Sequence, residues 1–368
     1  MQTYSENDVV WGALEVLRSY IEESPAVEFT NDTIVVPSMA QEYFNGLFDT
    51  VASMVAAEAV EESSISVEKL RVSLAKAEQN FMLFAAIDRV EIPAALRDFL
   101  ASPVRAMCKV VAPLILEYLK ASLSYSELMC KVLQRIEAEM HSLWCCGYEY
   151  WVYFALLNEL KPRQIYRVML DEEGRVRKEK AKTLKPGQAL MYEGVRYPDA
   201  LLTTKFMRHY AISFELRSDI EQMRGVDPFA AEESAGALNT FSVGRRCLIV
   251  YELEAPEIIP ALAPHTYCAF RRPSFSVEIA TAEELNQASH RRACENRARL
   301  LEPETGHFTV VPSSPATDFS KQVRDTRPTL SQHARVMSLD YNIAELYASV
   351  SSFAPYYGTQ KRYAPAKP

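Results

Sequence analysis

Apolar residues recur every three to four positions through the first 160 residues, and close to every second position from about residue 163 onward. Val9, Val10, Leu14, Leu17 and Ile21 make one face of a helix that Ser5 can cap. Short apolar runs at 27–30 and 33–36 flank Asn31-Asp32, the spacing of a two-residue hairpin turn. Ser38 opens a second helix with Tyr43, Phe44, Leu47, Phe48, Val51 and Val55 on one side. Ser66 opens a third, carrying Val67, Leu70, Leu74, Phe81 and Phe84. Ser102-Pro103 places a cap and an N1 proline ahead of a helix over 104–119. A long helix after Ser126 is expected to stop near Cys146, with Gly147 as the breaker and a buried helix over 148–160 beyond it. The aromatic residues between Trp144 and Phe154 suit a core helix or the lining of a ligand pocket, and their helical spacing favours the core.

The second pattern predicts strands. Residues 165–169 form a strand, 171–174 a turn, and 175–182 a basic return strand carrying Arg175, Arg177, Lys178, Lys180 and Lys182. That ribbon reads as a solvated edge, since lysines blunt exposed strands, with an anion-facing ribbon as the alternative. Pro186-Gly187 turns the chain into 188–192, and 209–216 alternates as a half-buried strand. Residues 224–240 read as a loop with a short helix. Strands follow at 246–254, 266–270 and 274–279, a charged helix at 283–301, and a last strand at 307–311. A linker rich in proline, serine and threonine leads to a final helix over 331–353, with Val336, Leu339, Ile343 and Leu346 inward.

The predicted class is α+β: an N-terminal helical bundle, a mixed and mostly antiparallel β-rich domain, and a C-terminal helix with an extended tail. The boundaries expected are 1–160 for an acidic helical domain, 161–311 for the β-rich domain, 312–330 for the linker and 331–368 for the helix and tail.

Composition narrows the function classes. Net charge is −8, which argues against nucleic acid as a main partner, because such affinity comes mostly from neutralising phosphates. The acids are unevenly placed: the first 62 residues hold twelve carboxylates against a single basic residue, Arg18. Only 11 glycines are present, with neither a P-loop nor a dinucleotide fingerprint. Seven cysteines without zinc-type spacing suit free thiols in a cytoplasmic or other reducing compartment. The first residues lack the basic and apolar blocks of a signal peptide, and no apolar run reaches the ~20 residues that span a bilayer, so no membrane insertion is expected.

Candidate chemistry is sparse. The six histidines are scattered, and neither a metal site nor a cofactor is expected from them. There is no Gly-x-Ser-x-Gly elbow, and Glu252 and Glu254 share a strand face as an acid pair or as an exposed strand end. The run Leu-Lys-Pro-Gly-Gln-Ala-Leu-Met-Tyr-Glu-Gly from Leu184, closing with Arg-His-Tyr-Ala-Ile-Ser-Phe-Glu-Leu-Arg at Arg217, resembles the closing strands of a 2-oxoglutarate-dependent oxygenase. Asp199 stands where that family has a metal-binding histidine, and the upstream His-x-Asp pair is missing, so the resemblance implies no iron centre. Ile165-Tyr166-Arg167, then Ser213-Phe214, then Glu295 ahead of the run from Ala298 to Val310, follow the order of an Arg-Ser-Glu site. In this the chain resembles the mono-ADP-ribosyltransferases. The resemblance implies that Arg167 would hold the NAD phosphates, Ser213 would order the site and Glu295 would polarise the ribose hydroxyl. It departs from that pattern at Val168, where the family has glycine, in lacking the Ser-Thr-Ser signature, and in having no Glu-x-Glu or Gln-x-Glu in register before the last strand.

Two function classes follow. One is a non-catalytic structural or scaffolding subunit of a larger assembly, coat-like or part of a complex, that self-associates. Its contacts would come from the aromatic and basic tail residues Tyr356, Tyr357, Lys361, Arg362 and Tyr363, docking on the acidic first 62 residues of a neighbour. The alternative is an NAD-using enzyme of the ADP-ribosyltransferase type, intact or degenerate, built on Arg167, Ser213 and Glu295.

Overall fold

A computed structural model describes residues 9–24, 27–29, 34–193, 195–222, 245–260, 272–312 and 334–351. Six helices come first: α1 Val9–Glu23, α2 Ser38–Glu62, α3 Glu68–Ala85, α4 Ala94–Ala101, α5 Pro103–Leu119 and α6 Tyr125–Glu159. Four more follow: α7 Arg217–Gln222, α8 Ala282–Asn286, α9 Ala288–Leu301 and α10 Ala344–Ser351. The strands are β1 Glu28–Phe29, β2 Ile34–Val35, β3 Arg89–Val90, β4 Pro162–Leu170, β5 Val176–Lys180, β6 Thr183–Leu184, β7 Met191–Tyr192 and β8 Val195–Arg196. They continue with β9 Ala200–Thr204, β10 His209–Leu216, β11 Arg246–Leu253, β12 Phe275–Ile279, β13 His307–Pro312 and β14 Ala334–Leu339. The α+β class holds.

Packing groups the chain into two units, residues 1–69 with 93–144, and residues 70–92 with 145–368. The change of period near residue 161 therefore falls inside the second unit. The reason is that α3 and the second half of α6 belong with the sheet, because their aromatic side chains form its cover.

In the first unit α1 buries Val10, Leu14, Leu17 and Ile21, all at helical spacing, and α2 buries Phe44, Val51 and Val55. Each such side chain contributes about 1.5–3 kcal/mol by leaving water. Small Ala52 and Ala56 on α2 are also buried, and α2 packs against α5. Ser102 caps α5 as expected, its side chain accepting from Arg105 N at 3.4 Å. The α6 cap is Ser124 rather than Ser126: its hydroxyl accepts from Glu127 N while the Glu127 carboxylate accepts from Ser124 N at 2.8 Å. The Tyr118 hydroxyl donates to Glu15 at 2.7 Å, tying α5 to α1. The pairs Glu28↔Val35 and Phe29↔Ile34 form the expected hairpin, whose turn at Asn31-Asp32 lies outside the described residues, as does Ser5.

Gly147 does not end α6, which runs unbroken to Glu159. A helical glycine costs about 1 kcal/mol relative to alanine. Burial of Cys145, Cys146, Tyr148, Tyr150 and Trp151 around it outweighs that.

The second unit is built on an eight-stranded sheet in the order β14-β13-β12-β11-β10-β9-β4-β5. Pairing is antiparallel from β5 across to β12, and parallel for β12–β13 and β13–β14. The α8–α9 segment supplies the crossover from β12 to β13. β9 was not expected from the sequence, because all five of its residues are buried and show no alternation. The C-terminal segment also differs from expectation: residues 334–339 are the strand β14, and the helix begins only at Ala344, whose N–H donates to Asn342 Oδ1 at 3.1 Å. Val336 and Leu339 fit a helix by spacing, but the segment pairs in parallel along β13 over six residues, as the edge strand of the sheet.

Register assigns the two faces of the sheet. Ile165, Leu202 and Tyr210 align across three strands, and so do Tyr166, Leu201, Ala211 and Tyr251 one position along. One face is apolar: Ile212, Phe214, Val250, Val277, Phe308 and Val310 are buried on it. Its cover includes Tyr150 and Tyr153 of α6, 5.2 and 5.0 Å from the Phe214 ring, and the Phe81–Phe154 pair at 5.5 Å. Tyr148 and Trp151 pack on Tyr341, and Tyr148 donates to the Leu339 carbonyl at 2.7 Å. The aromatic run of α6 is thus core. The opposite face starts apolar with Val168, Leu201, Ala211, Ile249 and Tyr251, joined by Ile220 and Leu301. It then turns polar toward β12 and β13.

The basic ribbon is the edge strand β5. Arg175 and Arg177 pair with Asp171 and Glu173 of the preceding turn, and Lys178 lies over the Tyr166 ring. No single helix among the described residues is long and apolar enough to cross a membrane. Most of the linker, the tail from residue 352, the loop over 224–240 and the strand expected at 266–270 lie outside the described residues.

Candidate functional site

The polar half of the second sheet face is assembled by the β12–α8–α9–β13 crossover. Thr281 starts α8 with a complete capping box, its hydroxyl accepting from Glu284 N at 3.1 Å and the Glu284 carboxylate accepting from Thr281 N at 2.7 Å. This sets the course of α9, which lays Cys294 and Arg297, one turn apart, over β12 and β13. The parallel register pairs Ser276 with His307 and Glu278 with Thr309, so these four point to the same face.

Glu278, Cys294 and His307 are all buried, and one donor atom from each lies within 4.8 Å of the others. His307 Nε2 is 3.4 Å from Glu278 Oε1 and 3.9 Å from Cys294 Sγ. Its Nδ1 sits 2.8 Å from Ser276 Oγ, which fixes the ring orientation. Cys294 Sγ is 3.0 Å from Thr309 Oγ1. Arg297 grips the Glu278 carboxylate with Nε to Oε2 at 2.7 Å and a second contact at 3.2 Å. Burial alone would raise the Glu278 carboxyl, but Arg297 and Arg217 outweigh it and hold the group well below the usual carboxylate range. Burial, reinforced by Glu278, pushes the Cys294 thiol up. A protonated thiol 3.9 Å from imidazole is not an activated nucleophile.

Around this centre lies a buried ionic network. Arg245 meets Glu149 at 2.8 Å and Glu284 at 3.4 Å, while Arg217 stands 3.6 Å from Glu149 and 3.8 Å from Glu278. Arg217 and Arg245 also donate to the Ile279 carbonyl. Arg217, Arg245 and Arg297 thus face Glu149, Glu278 and Glu284 across these contacts, with Arg217, Arg245 and Glu284 half-buried, and burial raises the Glu149 carboxyl against the pull of Arg245 and Arg217. A second buried acid, Asp199, accepts from Gly187 N and Phe214 N, both at 2.8 Å. Burial, with Glu215 nearby, raises its carboxyl to about 7. Gly187 is needed in that loop: its φ is +81°, and a Cβ there would fall 2.1 Å from Arg246.

The residues singled out in the sequence are dispersed. Arg167 is exposed on β4 and forms an ion pair with Glu179 at 2.6 Å. Ser213 is fully buried on β10 beside Glu215. Register puts the two on opposite faces: Tyr166 aligns with Ala211, so Ser213 shares a face with Val168 while Arg167 takes the other. Glu295 lies on α9 with Arg299 at 4.0 Å. The order Arg-Ser-Glu is present and the constellation is not. Glu252 pairs with Arg208 at 2.8 and 2.9 Å. Tyr356, Tyr357, Lys361, Arg362 and Tyr363 lie outside the described residues. Sequence reading missed Glu278, Cys294 and His307 as a group, because they stand far apart along the chain and meet only through the crossover.

The acidic helical unit carries a different feature. On α1, Val9, Ala13, Val16 and Tyr20 form a second stripe at four- and three-residue spacing, with Val9 and Val16 exposed at 74% and 58%. Tyr20 packs edge-on to Tyr43 of α2 at 5.1 Å, and Tyr43 and Met39 are exposed at 61% and 98%. Exposed Glu22, Glu23 and Glu42 lie on the same two helices.

No family model, no curated protein and no solved structure matches the chain.

Proposed function

We propose that the chain is a non-catalytic structural or scaffolding subunit of a larger assembly, in which the α1–α2 face of one copy receives the C-terminal tail of another. The single observation that carries this is the set of exposed Val9, Val16, Met39 and Tyr43, with half-buried Tyr20 against Tyr43, on helices rich in carboxylates. A large apolar patch rimmed by charge is the usual mark of a protein contact. The tail 354–368 matches it in chemistry, with Tyr356, Tyr357 and Tyr363 to stack on the rings and Lys361, Arg362 and Lys367 to meet the acids.

Light scattering of the full chain, the chain lacking 354–368, and Val16→Asp tests this. The full chain is expected to run well above 41.7 kDa, and both variants at or near it. Raising salt from 0.05 M to 0.5 M weakens the contact, since its charges lie at the surface. A monomer's mass for all three chains, 41.7 kDa for the full one, overturns the reading.

A further inference from the structure

We propose that Glu278, Cys294 and His307 form a binding site for one divalent ion of the zinc class. This stands apart from the assembly reading and rests on different residues.

Distances come first. Zinc bonds of about 2.0–2.1 Å to nitrogen or oxygen and about 2.3 Å to sulfur, at tetrahedral angles, set donor–donor separations of roughly 3.3–3.6 Å. The 3.4 Å from His307 Nε2 to Glu278 Oε1 falls in that range, and the 3.9 Å to Cys294 Sγ lies a few tenths beyond it. Both are long for hydrogen bonds between such groups. Three donor types therefore converge in the interior, one donor atom of each within 4.8 Å of the others.

The surrounding groups agree. A metal-binding histidine usually has its other ring nitrogen held by a hydrogen-bond partner, and Ser276 Oγ does this at 2.8 Å from Nδ1. Arg297 holds both Glu278 oxygens, Nε on Oε2 at 2.7 Å and Nη2 on Oε1 at 3.2 Å, and Oε1 also faces His307 Nε2 at 3.4 Å. Thr309 Oγ1, 3.0 Å from Sγ, is placed to donate to a bound thiolate. One thiolate, one imidazole and one carboxylate form a donor set that suits zinc, whereas calcium and magnesium prefer oxygen alone. As the Sγ–metal bond forms, the thiol proton leaves to solvent, so the ion and the thiolate together add a single positive charge to the ionic network.

The test uses the whole chain, purified without chelator and then titrated with Zn(II) or Co(II) alone. The expected result is one tightly held equivalent per chain. The Co(II) form should show a thiolate-to-metal absorption band, lost in Cys294→Ser and kept in Cys130→Ser, whose thiol is exposed. Zinc-edge X-ray absorption of the unaltered chain gives an answer that needs no variant to fold: one sulfur with nitrogen and oxygen neighbours is expected. Failure to retain one equivalent, a zinc shell without sulfur or with more than one, or a cobalt band that survives Cys294→Ser overturns the proposal.

Discussion

In the helical unit, α1, α2 and α5 bury aliphatic and aromatic side chains and leave Met39 and Tyr43 in solvent. In the sheet unit, one face buries Ser213, Glu215, Glu278, His307 and Thr309, with Arg297 of α9 on Glu278. All buried polar and charged residues among those described belong to the sheet unit. The two halves are therefore held by forces with different tolerance. Apolar burial is non-directional and scales with area, so shape-conserving changes cost little. Ion burial depends on every partner being present, because a charge left alone in the interior has no water to return to.

The largest test of this contrast is Glu149→Leu. It takes from Arg245 and Arg217 the carboxylate they share, leaving them Glu284 at 3.4 Å and Glu278 at 3.8 Å, and should cost about 3–5 kcal/mol in urea unfolding. Adding Arg245→Met should recover much of the loss, as removal of both partners takes away the uncompensated charge. In the helical unit, Leu14→Ala should cost about 3 kcal/mol, while Leu14→Met stays under about 1.5 kcal/mol, since only volume matters there.

The next effect is on pH dependence. The Asp199 carboxyl sits at about 7 in the folded chain, against about 3.9 when unfolded. Between those values the folded state holds a proton that the unfolded state has released. Stability from this group is therefore fully present below pH 4 and declines as pH rises toward 7. Asp199→Asn should flatten that slope and raise stability at pH 8 by about 2 kcal/mol, measured by urea unfolding at pH 5 and 8.

Smaller still is Arg167→Ala. Its pair with Glu179 is exposed, so the melting midpoint should shift by no more than the equivalent of about 0.5–1 kcal/mol. A larger loss would mean that the β4–β5 edge is tied down in a way its exposure does not suggest. Smallest is Val16→Asp, which should leave stability within about 0.5 kcal/mol while abolishing the higher solution mass. If it destabilises strongly instead, Val16 belongs to the core and the contrast between the units fails at that point.

How much was legible from the sequence varied with the kind of signal. Most of the buried faces of α1, α2 and α3 were readable because i, i+3, i+4 spacing maps onto one side of a helix, but Val9, Tyr43 and Phe84, which the same spacing placed on those faces, are exposed at their margins. The strands β4, β10, β11 and β13 were readable from apolar runs and turn residues. Residues 200–204 were not, since a strand buried on both faces has no alternation. Gly147 misled because a local propensity of about 1 kcal/mol is small beside the burial of the aromatics around it. The Arg167, Ser213 and Glu295 pattern was legible as an order along the chain, but order does not encode face, and a single step of strand parity separates Arg167 from Ser213.

By itself, then, the sequence determined the α+β class, the helical faces and the charge imbalance between the acidic helices and the basic tail. These are set by composition and by periods of a few residues, which act locally. Tertiary structure alone decided that α6 runs through Gly147, that residues 334–339 pair as a strand, and that Glu278, Cys294 and His307 meet. Each of those depends on neighbours brought in from far along the chain, and no local period records them.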